Sequence, residues 1–251
     1  MRERVIKLLA GGPLEWAARD AYYRWVSFAP SAILGQNATR GRTYDRLTVR
    51  IAAHALAGGG GCIDVGANAG QILRKLLRIS PGGPHWAFEP IPRYTDRLRS
   101  KFPGVTVSDA ALSDHSGVAD FHYYPGDPAY SSLLSRPQIV GGKQARTLRV
   151  DVRRLDDCIP ENIPVRFIKI DVEGAEDAVL RGAMRTLSES RPVVVFECGP
   201  ANLGNCLPVL EQAGLRLSLL AEYAAGVKLN SDEALQVGRE RGELYYVASR
   251  P

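Results

Sequence analysis

The stretch at residues 62–70, Cys-Ile-Asp-Val-Gly-Ala-Asn-Ala-Gly, restricts the fold more than any other part of this chain. Residues 62–65 are a short apolar run suited to a buried strand. Residues 71–79 carry apolar side chains at helical spacing. Glycines at the joint let the backbone turn tightly and come close to a ligand without a Cβ in the way. The start of the helix adds N–H groups that have no partner within the helix. A strand that passes so directly into a helix belongs to a sheet crossed by helices.

The rest of the chain repeats the pattern. Residues 85–88 read as the next strand, 92–102 as a helix opened by Pro92, and 105–107 as a third strand. Strands are predicted again at 165–170, 192–196, 215–220 and 244–247, with helices at 175–187 and 203–213. Such alternation predicts a parallel sheet covered by helices on both faces. Residues 117–124 and 146–152 instead alternate apolar and polar side chains and read as an inserted antiparallel pair. The polar loop between them, 125–143, is long enough to suggest a functional role. Upstream, a helix is predicted at 44–57, ended by the four glycines 58–61. Residues 1–40 form a separate helical appendage in which Pro13 suits a first turn and Leu14, Ala18, Tyr22 and Trp25 share a face. The main domain then covers 41–251.

Bulk properties exclude several classes. With 45% hydrophobic and 24% charged residues the chain has ordinary globular composition. The net charge of +5 is modest and the arginines are scattered along the sequence rather than gathered in a basic run, which argues against nucleic acid as a partner. Cys62, Cys158, Cys198 and Cys206 form no C-x-x-C pair, so neither a zinc site nor a disulfide framework is expected, and a cytoplasmic setting is inferred. Cys62 and Cys198 sit in apolar strands and read as buried thiols. No apolar run of membrane-spanning length is present, and the charged start at residues 1–10 does not read as a secretory signal.

Three strand ends carry groups suited to one ligand. Asp64, Gly66, Ala67, Asn68, Gly70 and Gln71 form the turn after the first strand. Glu89 and Pro90 follow the second, and Glu89 is placed to accept from two ribose hydroxyls. Asp109 and Ala110 follow the third and are placed to meet an adenine edge. The turn has Asp-x-Gly-x-x-x-Gly spacing rather than G-x-G-x-x-G, which disfavours a nicotinamide dinucleotide.

These residues resemble the FkbM family of class I methyltransferases. The likeness is carried by residues 63–70, by Phe88-Glu89-Pro90, by 111–114 with Gly117, and above all by 168–176, Ile-Lys-Ile-Asp-Val-Glu-Gly-Ala-Glu. Leu180-x-Gly182 and Val195-Phe196-Glu197 follow in the family's order. The resemblance implies a Rossmann-like sheet, mostly parallel with an antiparallel last strand. It also implies S-adenosylmethionine as methyl donor and a hydroxyl acceptor on a sugar, glycolipid, polysaccharide or secondary metabolite.

For acceptor binding or proton removal the order of preference is Asp171, then Glu197, then Glu173. Asp171 ends the fourth parallel strand and Glu197 the fifth. Glu176 is read instead as a carboxylate that stabilises the first turn of a helix. His115 and His122 lie near the variable loop and read as structural or exposed. Magnesium on Asp171 and Glu197 is conceivable but lacks a further ligand, so no metal is predicted. Aromatic residues such as Trp16, Trp25 and Tyr130 suit stacking on a sugar as well as packing. The competing readings are an RNA methyltransferase, disfavoured because Asp171 and Glu173 would repel a phosphate backbone, and a non-catalytic donor-binding protein. The N-terminal helix makes a homodimer plausible.

Overall fold

The computed structural model describes residues 14–30, 33–34, 36–125, 128–134 and 145–251. Among the described residues two helices, α1 (Glu15–Phe28) and α2 (Gln36–Ala55), precede the sheet. Then follow β1 (Gly61–Val65), α3 (Gln71–Ile79), β2 (His85–Phe88), α4 (Pro92–Lys101) and β3 (Thr106–Ser108). An insertion comprises β4 (Ala111–Leu112), β5 (Gly117–Tyr123) and β6 (Arg146–Arg153), after which α5 (Leu155–Cys158) leads back to the sheet. The second half runs β7 (Val165–Ile170), α6 (Glu176–Arg181), α7 (Met184–Ser190), β8 (Val193–Glu197), α8 (Pro200–Gln212) and β9 (Arg216–Leu219). It ends with α9 (Leu220–Ala224), α10 (Ser231–Arg241) and β10 (Tyr245–Ser249).

The main sheet has the order β3-β2-β1-β7-β8-β10-β9. Its pairs are parallel except those of β10, which runs antiparallel to both β8 and β9. This is the mostly parallel sheet with a reversed last strand expected above. Strand order runs outward in both directions from β1 and β7, so a crevice opens where those two strands end. Apolar side chains alternate between two helix-covered faces. Ile63, Ile168 and Phe196 pack on one side, and Cys62, Phe167 and Val195 on the other, against Ile51, Leu56 and Leu76 of the flanking helices. Phe167 and Ile168 are completely buried back to back. Truncating either to alanine would cost about 2–5 kcal/mol. The insertion forms a second, three-stranded sheet, β4-β6-β5, with β5 and β6 antiparallel.

Several local expectations need correcting. The helix predicted at 175–187 is two helices, α6 and α7. Gly182, between them, is pressed on the Ser113 carbonyl, where a Cβ would lie 2.0 Å from the oxygen. The Asp156 carboxylate supplies α7 with its own cap, accepting from the Arg185 and Thr186 N–H groups at 2.7 and 3.0 Å. The helix predicted to begin at residue 44 begins at Gln36, so the boundary expected at residue 40 falls inside α2. Tyr44 stacks on Tyr245 with 3.8 Å between ring centres, and its hydroxyl donates to Glu243, tying this early helix to the last strand. Helix α10 was not anticipated, although Asn230 and Glu233 form a reciprocal capping box that sequence spacing could have shown.

The expected shared face of the N-terminal helix holds only in part: Ala18, Tyr22 and Trp25 are half-buried. Leu14 is exposed, while Glu15 is buried and pairs with Arg19 and Arg93. Trp16 packs edge-on to Tyr94 of α4 and carries the Arg97 guanidinium 4.4 Å from its ring centre. Asp20 pairs with Arg97 and Lys101. α1 is therefore docked on α4 mainly through charge and aromatic contacts rather than an apolar stripe. Pro13 and much of the 125–143 loop lie outside the described residues. All four cysteines are free. No helix among the described residues is long and apolar enough to cross a membrane.

Candidate active site

Register brings the predicted residues together. Val65 pairs with Phe88 and Ile170, Phe88 with Ser108, and Ile170 with Phe196. The next residue on each strand is therefore Gly66, Glu89, Asp109, Asp171 or Glu197, all at one edge of the sheet. Above this edge lies a cavity of about 380 Å³, lined by Gly66, Asn68, Glu89, Pro90, Ala110, Asp171, Glu173 and Glu197 among others. A smaller cavity of about 190 Å³ adjoins it, sharing Gly66, Asn68, Asp171 and Glu197 and adding Asp64, Ala67 and Gln71.

The glycine turn is shaped by close backbone approach. Gly66 has φ +73°, and a Cβ there would lie 1.9 Å from the Asp171 carbonyl oxygen. Its N–H and that of Ala67 donate to the Phe88 carbonyl at 3.0 and 3.1 Å. Asn68 also has positive φ, and its side chain accepts from the next N–H at 2.8 Å. Gly70 lines neither cavity. It lets α3 begin against Leu98 and Phe102, where a Cβ would clash with both side chains.

Glu89 is buried and accepts from the Asn68 and Ile91 N–H groups at 2.8 and 3.0 Å. Burial pushes its carboxyl up to about 7, and the two N–H donors oppose that rise. Each of its oxygens keeps a second lone pair for a ligand. Asp109 does not join it. Its carboxylate is 62% exposed and faces Arg99 at 3.4 Å, so of the third strand's pair only Ala110 meets the cavity. The residue after a strand end points away from its neighbours' side when the backbone turns, and sequence spacing does not reveal that turn.

A buried charge cluster forms the floor. Lys169 Nζ lies 3.0 Å from Asp171 Oδ2 and 3.7 Å from Asp64 Oδ1, and it donates to the Gly66 carbonyl at 3.3 Å. Burial disfavours the lysine's charge, but the carboxylates of Asp171 and Asp64 outweigh it and hold the ammonium well above the usual lysine range. Tyr245 donates to Glu197 Oε2 at 2.5 Å. Burial first, and the Asp171 carboxylate second, push Glu197 up to about 7. Burial and Glu197 raise the Tyr245 phenol, which keeps it a donor. Sequence reasoning missed Lys169 and Tyr245. β7 carries two charges, Arg166 and Lys169, and nothing local marks Lys169 as the one turned toward the cavity.

The loop after β7 is clamped from two sides. Glu173 has φ +59° and Gly174 φ +104°. Ser132 Oγ lies 3.2 and 2.9 Å from the Val172 and Glu173 carbonyls. Glu176 is buried, accepting from the Gly174 N–H at 2.7 Å and from Asn202 at 3.1 Å. Its role is to hold this loop, beyond the dipole effect read from sequence. His115 pairs with Asp114 at the surface, and neither it nor His122 lines the cavities.

The sequence profile described as Methyltransferase FkbM domain matches residues 64–217, which contain Gly66, Glu89, Asp109, Asp171 and Glu197 at the ends of β1, β2, β3, β7 and β8. The chain belongs to this family. Membership implies S-adenosylmethionine as methyl donor. Among curated relatives, the 2-O-methyltransferase NoeI of Sinorhizobium fredii (strain NBRC 101917 / NGR234) is 31% identical over 144 residues, covering 51% of this chain and 59% of that protein. Methyltransferase sdnD of Sordaria araneosa is 28% identical over 152 residues, covering 48% of this chain and 59% of that protein. The chain thus spans about three-fifths of the length of these relatives. A solved structure of a methyltransferase FkbM from Methylobacillus flagellatus KT is 19% identical with a TM-score of 0.47, covering 75% of this chain and 43% of that one.

The site fits such a donor. Among the described residues neither Asp64 carboxylate oxygen nor Gln71 Nε2, all buried, has a partner in full hydrogen-bond geometry, although the Leu73 N–H and Lys169 lie near enough to Asp64 to favour its charge. Lys169, at 3.7 Å from Asp64, is an ion-pair neighbour and not a hydrogen-bond donor to it. Orphaned polar groups of this kind are rare inside proteins, and they match a ligand that brings its own ammonium, carboxylate and hydroxyls.

Proposed function

We propose that this protein transfers a methyl group from S-adenosylmethionine to a hydroxyl of a sugar, glycolipid, polysaccharide or secondary metabolite. The observation that carries the reading is the floor of the larger cavity. There the carboxylates of Asp171 and Glu197 lie side by side at the ends of β7 and β8, beyond a glycine turn with unpartnered polar groups. Asp64, Gly66, Ala67, Asn68 and Gln71 would hold the amino-acid end of the donor, and Glu89, Pro90 and Ala110 its adenosine. When bound, the donor supplies an electrophilic methyl on a sulfonium.

The chain's own groups deal with the acceptor. An alcohol is a weak nucleophile until its proton is removed. Glu197, whose carboxyl burial and Asp171 push up to about 7, lines the cavity beside Asp171 and serves as the base. Tyr245 holds its Oε2 and leaves Oε1 to receive the hydroxyl proton. Asp171, fixed by Lys169, accepts from the acceptor and orients it, and Glu173 lines the same wall. The sequence-based order put Asp171 first for acceptor binding or proton removal; here Asp171 keeps acceptor binding and proton removal goes to Glu197. Holding oxygen and methyl in line supplies much of the remaining acceleration.

The test is transfer of a labelled methyl group by the purified chain to a panel of free sugars, glycolipids and hydroxylated metabolites, with mass analysis of the product. Methylation on oxygen, unaffected by EDTA, is expected. Tight binding of S-adenosylhomocysteine with no transfer to any hydroxyl acceptor would instead indicate a non-catalytic binder, and label appearing only in RNA would reassign the acceptor.

A further inference from the structure

A second, larger groove lies between α1, α2 and α3. It encloses about 850 Å³ and is lined by Arg42, Arg46 and Arg50 of α2 and by Arg74 and Lys75 of α3. The arginines looked scattered along the chain. Helical geometry gathers them, because residues 42, 46 and 50 recur every fourth position and share a face.

Asp45 is the one carboxylate among the described residues of the lining, and it is taken by Lys75 at 3.0 Å. Arg42 donates to the Val26 and Ala29 carbonyls at the end of α1. Arg46, Arg50 and Arg74 have no acidic partner among the described residues. The Nε of Arg74 is buried with no hydrogen-bond partner among the described residues. Like charges one helical turn apart repel, so Arg46 and Arg50 weaken α2 slightly unless an anion joins them. An unpartnered guanidinium nitrogen of Arg74 and the guanidinium groups of Arg46 and Arg50 line one groove, an arrangement suited to an anion, and the planar forks suit phosphate oxygens.

The groove is continuous with the candidate active site. Tyr23, Gly41 and Tyr245 line both the groove and the larger cavity, and Gln71 lines both the groove and the smaller one. Tyr245 is also the residue that holds Glu197. A molecule lying in the groove therefore ends beside the proposed base. Val26, Phe28, Val49 and Ile79 supply apolar wall next to the arginines.

We propose that the acceptor is a diphosphate-bearing molecule, held by Arg46, Arg50 and Arg74 while its hydroxyl reaches Glu197. The inference rests on the methyl-transfer reading. Three free guanidinium groups match the charge of a diphosphate better than that of a neutral sugar. The carboxylates around the cavity itself keep the anion in the groove and away from the donor.

The test is calorimetric titration of the full chain, saturated with S-adenosylhomocysteine, with inorganic pyrophosphate. Binding that weakens with added salt is expected. Arg46→Gln, Arg50→Gln and Arg74→Gln should each weaken it about tenfold, the scale of one charge-assisted hydrogen bond, with S-adenosylhomocysteine affinity unchanged. Pyrophosphate binding that is absent, or that survives the combined Arg46→Gln, Arg50→Gln variant at parental strength, would overturn the assignment. Binding of anionic phospholipid vesicles or a single-stranded RNA oligonucleotide through these arginines, without binding of pyrophosphate, would overturn it too and mark the groove as a polyanion surface. If pyrophosphate binds as expected but S-adenosylhomocysteine does not, the donor reading fails while the groove stands.

Discussion

Lys169→Met isolates the contribution of the charge cluster beneath the cavity. The substitution nearly preserves side-chain length and removes the ammonium 3.7 Å from Asp64, whose carboxylate is 1% exposed. At that separation and an effective dielectric constant near 20, the lost attraction is about 4.5 kcal/mol. Asp171 is a third exposed and regains water, so its loss is heavily screened. Removing one partner of a buried pair costs about 3–5 kcal/mol in general, in line with this value. For a chain of this size that corresponds to a fall in melting temperature of about 10 °C. The sign with pH follows from the carboxylates. Burial already raises the folded-state pKa of Asp64, and loss of the lysine raises it further. The penalty is present in full while Asp64 is ionised and shrinks as the pH falls through that raised value. Urea unfolding of parent and variant at pH 8 and pH 5 measures it. Equal stability at pH 8, or a penalty that grows on acidification, would refute the argument.

Three further outcomes are expected. Turnover of the parent should rise with pH through about 7, because Glu197 must lose its proton to act. Glu197→Gln should lower turnover about 10²–10⁴-fold and abolish that rise, with donor affinity little changed; a variant retaining the pH profile would place the base elsewhere. Asp109→Asn should leave S-adenosylhomocysteine affinity within about twofold by calorimetry, since its side chain faces Arg99 and solvent. Glu176→Ala should destabilise the fold by about 1–3 kcal/mol by leaving the Gly174 N–H unpaired, measured by thermal melts. Its turnover well below the melting temperature should stay within a few-fold of the parent.

Much of the fold was legible because its signals are local. Residues 71–79, 85–88 and 165–170 have the predicted boundaries, since apolar periodicity and flanking Gly or Pro act within a few residues. The positions of Gly66, Glu89, Asp171 and Glu197 were legible for the same reason, as each sits at the end of a strand that the sequence marks. Where tertiary contact overrides local preference, reading failed. Nothing near Gly182 announces that the Ser113 carbonyl will press on it and divide a helix. The apolar face chosen for residues 14–25 was displaced in part by the pairing of buried Glu15 with Arg93, a residue 78 positions away.

The sequence by itself determined that a glycine turn follows a buried strand, that acidic residues stand at successive strand ends, and that strands alternate with helices. Those properties depend on side-chain size, backbone freedom and spacing along the chain. Only the tertiary structure decided which ends meet. Strand register aligned Gly66, Glu89, Asp171 and Glu197 at one edge and turned Asp109 outward. It placed Lys169 between Asp64 and Asp171, and brought Tyr245 to Glu197 from 48 residues away. It also brought Arg74 of α3 to one groove with Arg46 and Arg50 of α2. Coulomb forces and hydrogen bonds depend on distance in space, and that distance is set by packing rather than by position in the chain.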